Sequence, residues 1–241
     1  MVLIGGDTTE KREVAISITV IGEVSPGREV YRSGAKPGDL IYVSGTLGRA
    51  GLGLELMLRG LGNRSDVHRL LRTHLYPSIR IKLGMWLAEH RVASAMMDLS
   101  DGLSSDLRRL CAASSVGAEV WEDWVPQVKI PPGVQKLRAM ARISPEDLAL
   151  NGGEDYELLF CVSPSRAGKL RGAPGFAHIR QIGEIRQGID VAIVGSDGER
   201  REFVPKGWDP FRRGWQPIKF KTPTRPIRLR AKGAPRRTGK D

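Results

Sequence analysis

The residues in this chain best equipped for chemistry are aspartates gathered at turns. The densest group lies in Ala95-Met-Met-Asp-Leu-Ser-Asp-Gly-Leu-Ser-Ser-Asp-Leu107, where an apolar run meets Asp98, Ser100 and Asp101 before a new periodicity begins. Two carboxylates three residues apart repel unless a cation or a helix end offsets them, so the turn suits a metal ion, or an anion carried with its metal. Asn151-Gly-Gly-Glu-Asp-Tyr-Glu-Leu-Leu-Phe160 sets glycines before Glu154 and Asp155, and Leu3-Ile-Gly-Gly-Asp-Thr-Thr9 does the same for Asp7. A plainer reading stands beside this one, in which Ser100 or Asp101 only caps the following helix.

The elements that must position these residues follow from periodicity. Leu103, Leu107, Leu110 and Cys111 recur at helical spacing, so a helix starts near Gly102, with Arg108 and Arg109 facing out and Asp106 on the surface. Residues 93–97 read as the strand before it. Residues 14–24 alternate branched and smaller positions and predict a strand ended by Pro26-Gly27, and further strands are expected at 40–44 and 156–162. Helices are expected at 52–59, 66–76 and 79–91, the last two split by Pro77, with another from Pro145 to 150 and a short one at 166–171. Asp197-Gly198 between 191–194 and 201–204 is a hairpin signal. The period of a strand points Glu157 opposite to Tyr156, so the whole acidic run cannot face one site.

These motifs together resemble the thiamine-monophosphate kinases, members of the superfamily of aminoimidazole ribonucleotide synthetase. The matching residues are Gly5-Gly-Asp-Thr-Thr9, Arg32-Ser-Gly-Ala35 with Pro37-Gly-Asp39, Asp98-Leu-Ser-Asp-Gly-Leu103, Gly152-Gly-Glu-Asp-Tyr-Glu-Leu-Leu-Phe160 and Gly207-Trp-Asp-Pro-Phe211. The resemblance implies an α+β fold: a mixed β-sheet flanked by helices over residues 37–216, preceded at 1–36 by a remnant of the family's N-terminal domain. It implies ATP-dependent phosphorylation of thiamine monophosphate to thiamine diphosphate, with Mg²⁺ held by Asp7, Asp98 and Asp101. Arg32 and Ser100 would bind the nucleotide, and Glu154 and Trp208 the thiamine ligand. A homodimer is implied; the family's opening N-terminal strands have no counterpart here, whether through a separately encoded segment, a mis-called start or a genuine loss, and without them the chain alone is expected to be a poor kinase. The glycine loop Gly45-Thr-Leu-Gly48 is left out of the site because Arg49 stands where the family commonly has an acid. Two other readings remain: a different ATP-using member of the superfamily, or a non-catalytic binding protein whose basic tail contacts RNA.

Composition limits the classes. The chain has 241 residues, 40% of them hydrophobic, and no apolar run long enough for a membrane span, so a cytoplasmic protein is expected. Of the net charge of +11, residues 217–241 carry nine Lys or Arg against one Asp, leaving +3 for the rest. A solvated, disordered extension accounts for that tail better than nucleic-acid binding. Cys111 and Cys161 read as small core residues, and the four histidines show no metal-ligand spacing.

Overall fold

The computed structural model of the chain describes residues 18–134 and 143–207. Its frame is a mixed seven-stranded sheet in the order β2-β4-β1-β5-β3-β6-β7. The strands are β1 (Leu40–Val43), β2 (Ala93–Asp98), β3 (Gly117–Trp121), β4 (Leu158–Val162), β5 (Arg180–Arg186), β6 (Val191–Val194) and β7 (Arg200–Glu202). All neighbours are antiparallel except β3 and β6.

Strand β4 explains the geometry best. Its sequence, Leu-Leu-Phe-Cys-Val, is apolar without alternation, which suits a strand covered on both faces. Leu159 and Cys161 enter the layer beneath helix α4 (Leu103–Ser114), where Leu103, Leu107, Leu110 and Cys111 form one stripe beside Ala149 and Leu150 of α5 (Pro145–Asn151). Phe160 and Val162 enter the opposite layer with Leu83 and Leu87 of α3 (Ile81–Glu89), and Phe160 stacks on Tyr42 with ring centroids 5.6 Å apart. A third cluster joins α1 (Arg49–Leu58) to α2 (His68–Leu75) through Leu52, Leu56, Leu70 and Leu71, with Val128 and Ile130 against it.

The fold class, the helix stripe of α4, the Pro77 break and the Asp197-Gly198 hairpin agree with the sequence. Cys111 and Cys161 are both buried in the first core layer. Three expectations need correction. Of the strand expected at 14–24, residues 18–24 are described; they lie in no strand, and Ile18, Val20 and Ile21 are exposed. A branched, alternating pattern expresses only a preference, and among the described residues no strand pairs with that stretch to satisfy its backbone. The strand expected from Tyr156 begins at Leu158, because Glu154 and Tyr156 both hold positive φ, 65° and 49°, and break the extended run. Asp106 is not a surface residue but is wholly buried. The first strand fragment with Asp7, the segment with Trp208 and the basic tail lie outside the described residues.

Candidate active site

Asp98 ends β2, opposite Leu158 of β4, and its side chain is exposed. The chain then turns through Ser100 and Asp101 into α4. No side chain caps this helix: Gly102, at φ 104°, occupies the N-cap position without a side-chain bond. A Cβ there would stand 2.8 Å from the Asn151 carbonyl oxygen, so glycine is required both by dihedral and by space. The turn before it is held from within the helix instead. Asp106 turns back, and its Oδ2 accepts the N–H groups of Ser100 at 3.0 Å and Asp101 at 2.9 Å. Its Oδ1 accepts from Arg109 at 2.6 Å, and the same guanidinium donates to Asp101. Arg109 therefore ties Asp101 to Asp106 and is not simply outward-facing. Burial pushes the Asp106 carboxyl above its usual range, against the lowering effect of those bonds. The capping reading of Ser100 and Asp101 is thereby excluded.

The second acidic run is laced to the first through the backbone. Glu154 N–H donates to the Ser100 carbonyl at 2.8 Å, Tyr156 N–H to Leu99 at 2.9 Å, and Leu99 N–H to Glu157 at 2.8 Å. Alternate side chains then part company. Glu154 is half-exposed, with Oε2 3.3 Å from Nδ1 of His74, although no aligned hydrogen bond joins them. Burial first, then the charges of Glu154, Asp98 and Asp101, raise the pKa of the Tyr156 phenol. On the inner side Asp155 accepts the N–H groups of Gly48 at 2.5 Å and Ala50 at 3.0 Å, and burial pushes its carboxyl up from 3.8 to about 6. Glu157 accepts from Ser44 Oγ at 2.5 Å and from both arms of Arg80, Nε at 2.6 Å.

The structure thus brings Asp98, Asp101 and Glu154 around Tyr156 and sets Ser100 in the backbone between them. It does not bring Arg32 to the same place. That residue lies on a segment flanking β2, where Tyr31 accepts Met96 N–H at 2.9 Å, and its carbonyl receives Ser114 Oγ at 3.4 Å, at the far end of α4. Asp7 and Trp208 lie outside the described residues. Sequence reasoning missed Arg80, Asp106, Arg109 and His74. A signal existed for Asp106 and Arg109, whose i, i+3 spacing on one helix makes a pair. None existed for Arg80, which meets Glu157 across 77 positions.

Asp98 and Asp101 offer carboxylate oxygens at the sheet edge, the donor type that Mg²⁺ takes: this ion binds one or two carboxylates and completes its shell with water and phosphate oxygens. Among the described residues no group of three or more His, Cys, Asp or Glu side chains is placed to hold a metal ion by itself. No helix among them is long and apolar enough to cross a membrane.

Comparison with known proteins bears on this architecture. The family model for AIR synthase related protein, C-terminal domain, matches residues 36–195. The chain belongs to this family. Within the AIR synthase related proteins, it is 39% identical over 219 residues to the thiamine-monophosphate kinase of Salmonella typhimurium, covering 88% of this chain and 64% of that one. Against the Aquifex aeolicus kinase the identity is 34% over 210 residues, 87% of this chain and 63% of that one. The chain spans slightly less than two thirds of the length of these relatives. The solved structure of AaThiL complexed with AMPPCP and TMP superposes at a TM-score of 0.60 with 34% identity, over 76% of this chain and 54% of that one. A hydrogenase maturation protein in complex with ATP reaches 0.51 at 20% identity, over 73% of this chain and 53% of that one, a likeness of fold alone.

Proposed function

We propose that this member of the AIR synthase related family takes part in ATP-dependent phosphorylation of thiamine monophosphate, contributing the C-terminal domain of such a kinase. The observation that carries the reading is the convergence of Asp98, Asp101 and Glu154 around Tyr156 on backbone bonds between two distant loops. Its support is the similarity to thiamine-monophosphate kinases and to a solved relative complexed with AMPPCP and TMP.

Phosphoryl transfer asks a protein for positioning and charge neutralisation more than for covalent chemistry. Asp98 and Asp101 would hold Mg²⁺, together with Asp7, and the ion when bound neutralises charge on the transferring phosphate. The chain's own part is to place the ligands. Asp106 fixes the turn from which Asp101 projects, and Arg109 holds the Asp101 carboxylate until a stronger cation competes. Ser100 lies between them to meet the nucleotide, and Arg32 would approach from the flanking segment. Glu154 offers an exposed carboxylate suited to the cationic thiazolium ring of thiamine, with Trp208 as an aromatic face. The proposal extends to a homodimer and to a division into residues 1–36, 37–216 and 217–241.

Calorimetry with AMPPCP and Mg²⁺ tests the nucleotide side. Asp98→Asn should weaken binding, increasingly so as magnesium becomes limiting, because an amide lacks the charge of a carboxylate ligand. Equal affinities in both proteins would overturn the assignment. Formation of thiamine diphosphate from thiamine monophosphate and ATP, with the chain alone and with any upstream-encoded segment added, tests the substrate.

A further inference from the structure

A second concave surface lies on the other side of the glycine loop. Gly45 packs on the Glu157 carboxylate, where a Cβ would stand 2.5 Å from Oε1, and Gly48 is tied to Asp155, so one side of the loop is consumed by the acidic run. Thr46 and Arg49 face a cleft of about 500 Å³ that also takes in Arg69 of α2 and Lys129. The far wall is an extended segment pinned to the loop: Leu47 N–H donates to Pro126 at 2.8 Å and Val128 N–H to Leu47 at 2.9 Å, with a parallel bridge between Leu47 and Gln127. Alternation along this segment buries Val128 and Ile130 and turns Gln127 and Lys129 toward the cleft. Leu70 and Val128 give it an apolar floor continuous with the third core cluster.

The charge balance is one-sided. The carboxylate of Asp66 lines the cleft but is held by Arg64 at 2.8 Å. Among the described residues no carboxylate pairs with Arg49, Arg69 or Lys129. Three cations with long stems thus surround one concavity, beside the Thr46 hydroxyl and the Gln127 amide as neutral donors. Two guanidiniums and an ammonium match a phosphate dianion, with the guanidiniums able to bind two oxygens each. The apolar floor adds room for a small organic group.

We propose that this cleft is an anion site for a phosphate monoester, separate from the acidic apex and independent of divalent metal. Arg49 and Arg69 grip the phosphate, Lys129 closes the charge balance, and Leu70 and Val128 receive the organic part.

Calorimetry on the full chain with phenyl phosphate, in EDTA and without nucleotide, tests this apart from the kinase reading. One saturable site is expected, weakened by added salt because the cations are near the surface. Arg69→Gln and Lys129→Gln should each weaken it about tenfold, the scale of one charge-assisted hydrogen bond. Both positions are exposed, so thermal melts should match the wild type. Asp98→Asn should bind phenyl phosphate as the wild type does. Tighter binding of phenyl phosphate than of inorganic phosphate is expected; inorganic phosphate binding equally well would overturn the ester and the part given to Leu70 and Val128. Absence of saturable binding, or binding untouched by both substitutions, would overturn the proposal. So would an RNA oligonucleotide that displaces phenyl phosphate at far lower concentration and loses its own binding in the same variants.

Discussion

Replacing Asp106 by alanine should unsettle the acidic turn more than removing either acid displayed on it. Its carboxylate is wholly buried and makes three bonds, from Ser100 N–H, Asp101 N–H and Arg109. Alanine leaves two amides in a tight turn without an acceptor and frees Arg109. A hydrogen bond to a charged group contributes about 1.5–3 kcal/mol and an orphaned buried donor costs about 1–3 kcal/mol, so with water recovering part of the loss the change is about 3 kcal/mol. For a domain of this size each kcal/mol moves the melting temperature by about 2–4 °C, giving a fall of roughly 6–12 °C. Asparagine should behave differently. Both amides use the same oxygen, Oδ2, so a side-chain amide with its oxygen in that place keeps them and loses only the Arg109 bond. That variant should cost about 1 kcal/mol. Calorimetric melting of the three proteins is the assay. An alanine variant within about 2 °C of the wild type, or an asparagine variant as damaged as alanine, would refute the reasoning.

Asp155 makes stability depend on pH. Its folded carboxyl titrates at about 6 against 3.8 unfolded, so its contribution is full below 3.8, falls as pH rises, and is flat above about 6. The difference in unfolding free energy between wild type and Asp155→Asn, measured from pH 4 to 7, should shift against the wild type by about 2 kcal/mol. Gly102→Ala should destabilise the fold by about 2 kcal/mol or more in urea titrations, since φ is 104° and the new Cβ meets Asn151 at 2.8 Å. Cys111, whose thiol burial pushes up to about 12, and Cys161 should resist a thiol reagent in the native chain and react on unfolding, as a colorimetric thiol count would show.

Local signals carried the sequence reading, and its failures are failures of locality. The stripe of α4 was legible because Leu103, Leu107 and Leu110 announce a period by themselves. The acids at Asp98, Asp101 and Glu154 were legible because glycines and helix starts flank them. Asp106 was misjudged since spacing alone placed it outward, and only the turn folding back over it makes it interior. Helix α1 begins at Arg49 rather than at residue 52, because Asp155, more than a hundred positions away, satisfies its first amides. The stretch through Val20 and Val24 has the composition of a strand but needs a partner to become one.

The ladder between β2 and β4 has a further consequence for how this surface comes into being and how it can change. The turn that carries Asp98 and Asp101 is held locally by Asp106, but Glu154 joins it only through main-chain bonds between Leu99, Ser100 and residues 154–157, so the three acids meet only once two remote strands have paired. Closing so long a loop carries an entropy cost that the acidic surface shares with the pairing of β2 and β4. Because main-chain bonds carry no side-chain identity, Asp98 can be exchanged without disturbing the frame, whereas Asp101 also holds Arg109 and Glu154 occupies a positive φ of 65°. A lineage can therefore rewrite the chemistry at Asp98 while the scaffold beneath it stands still.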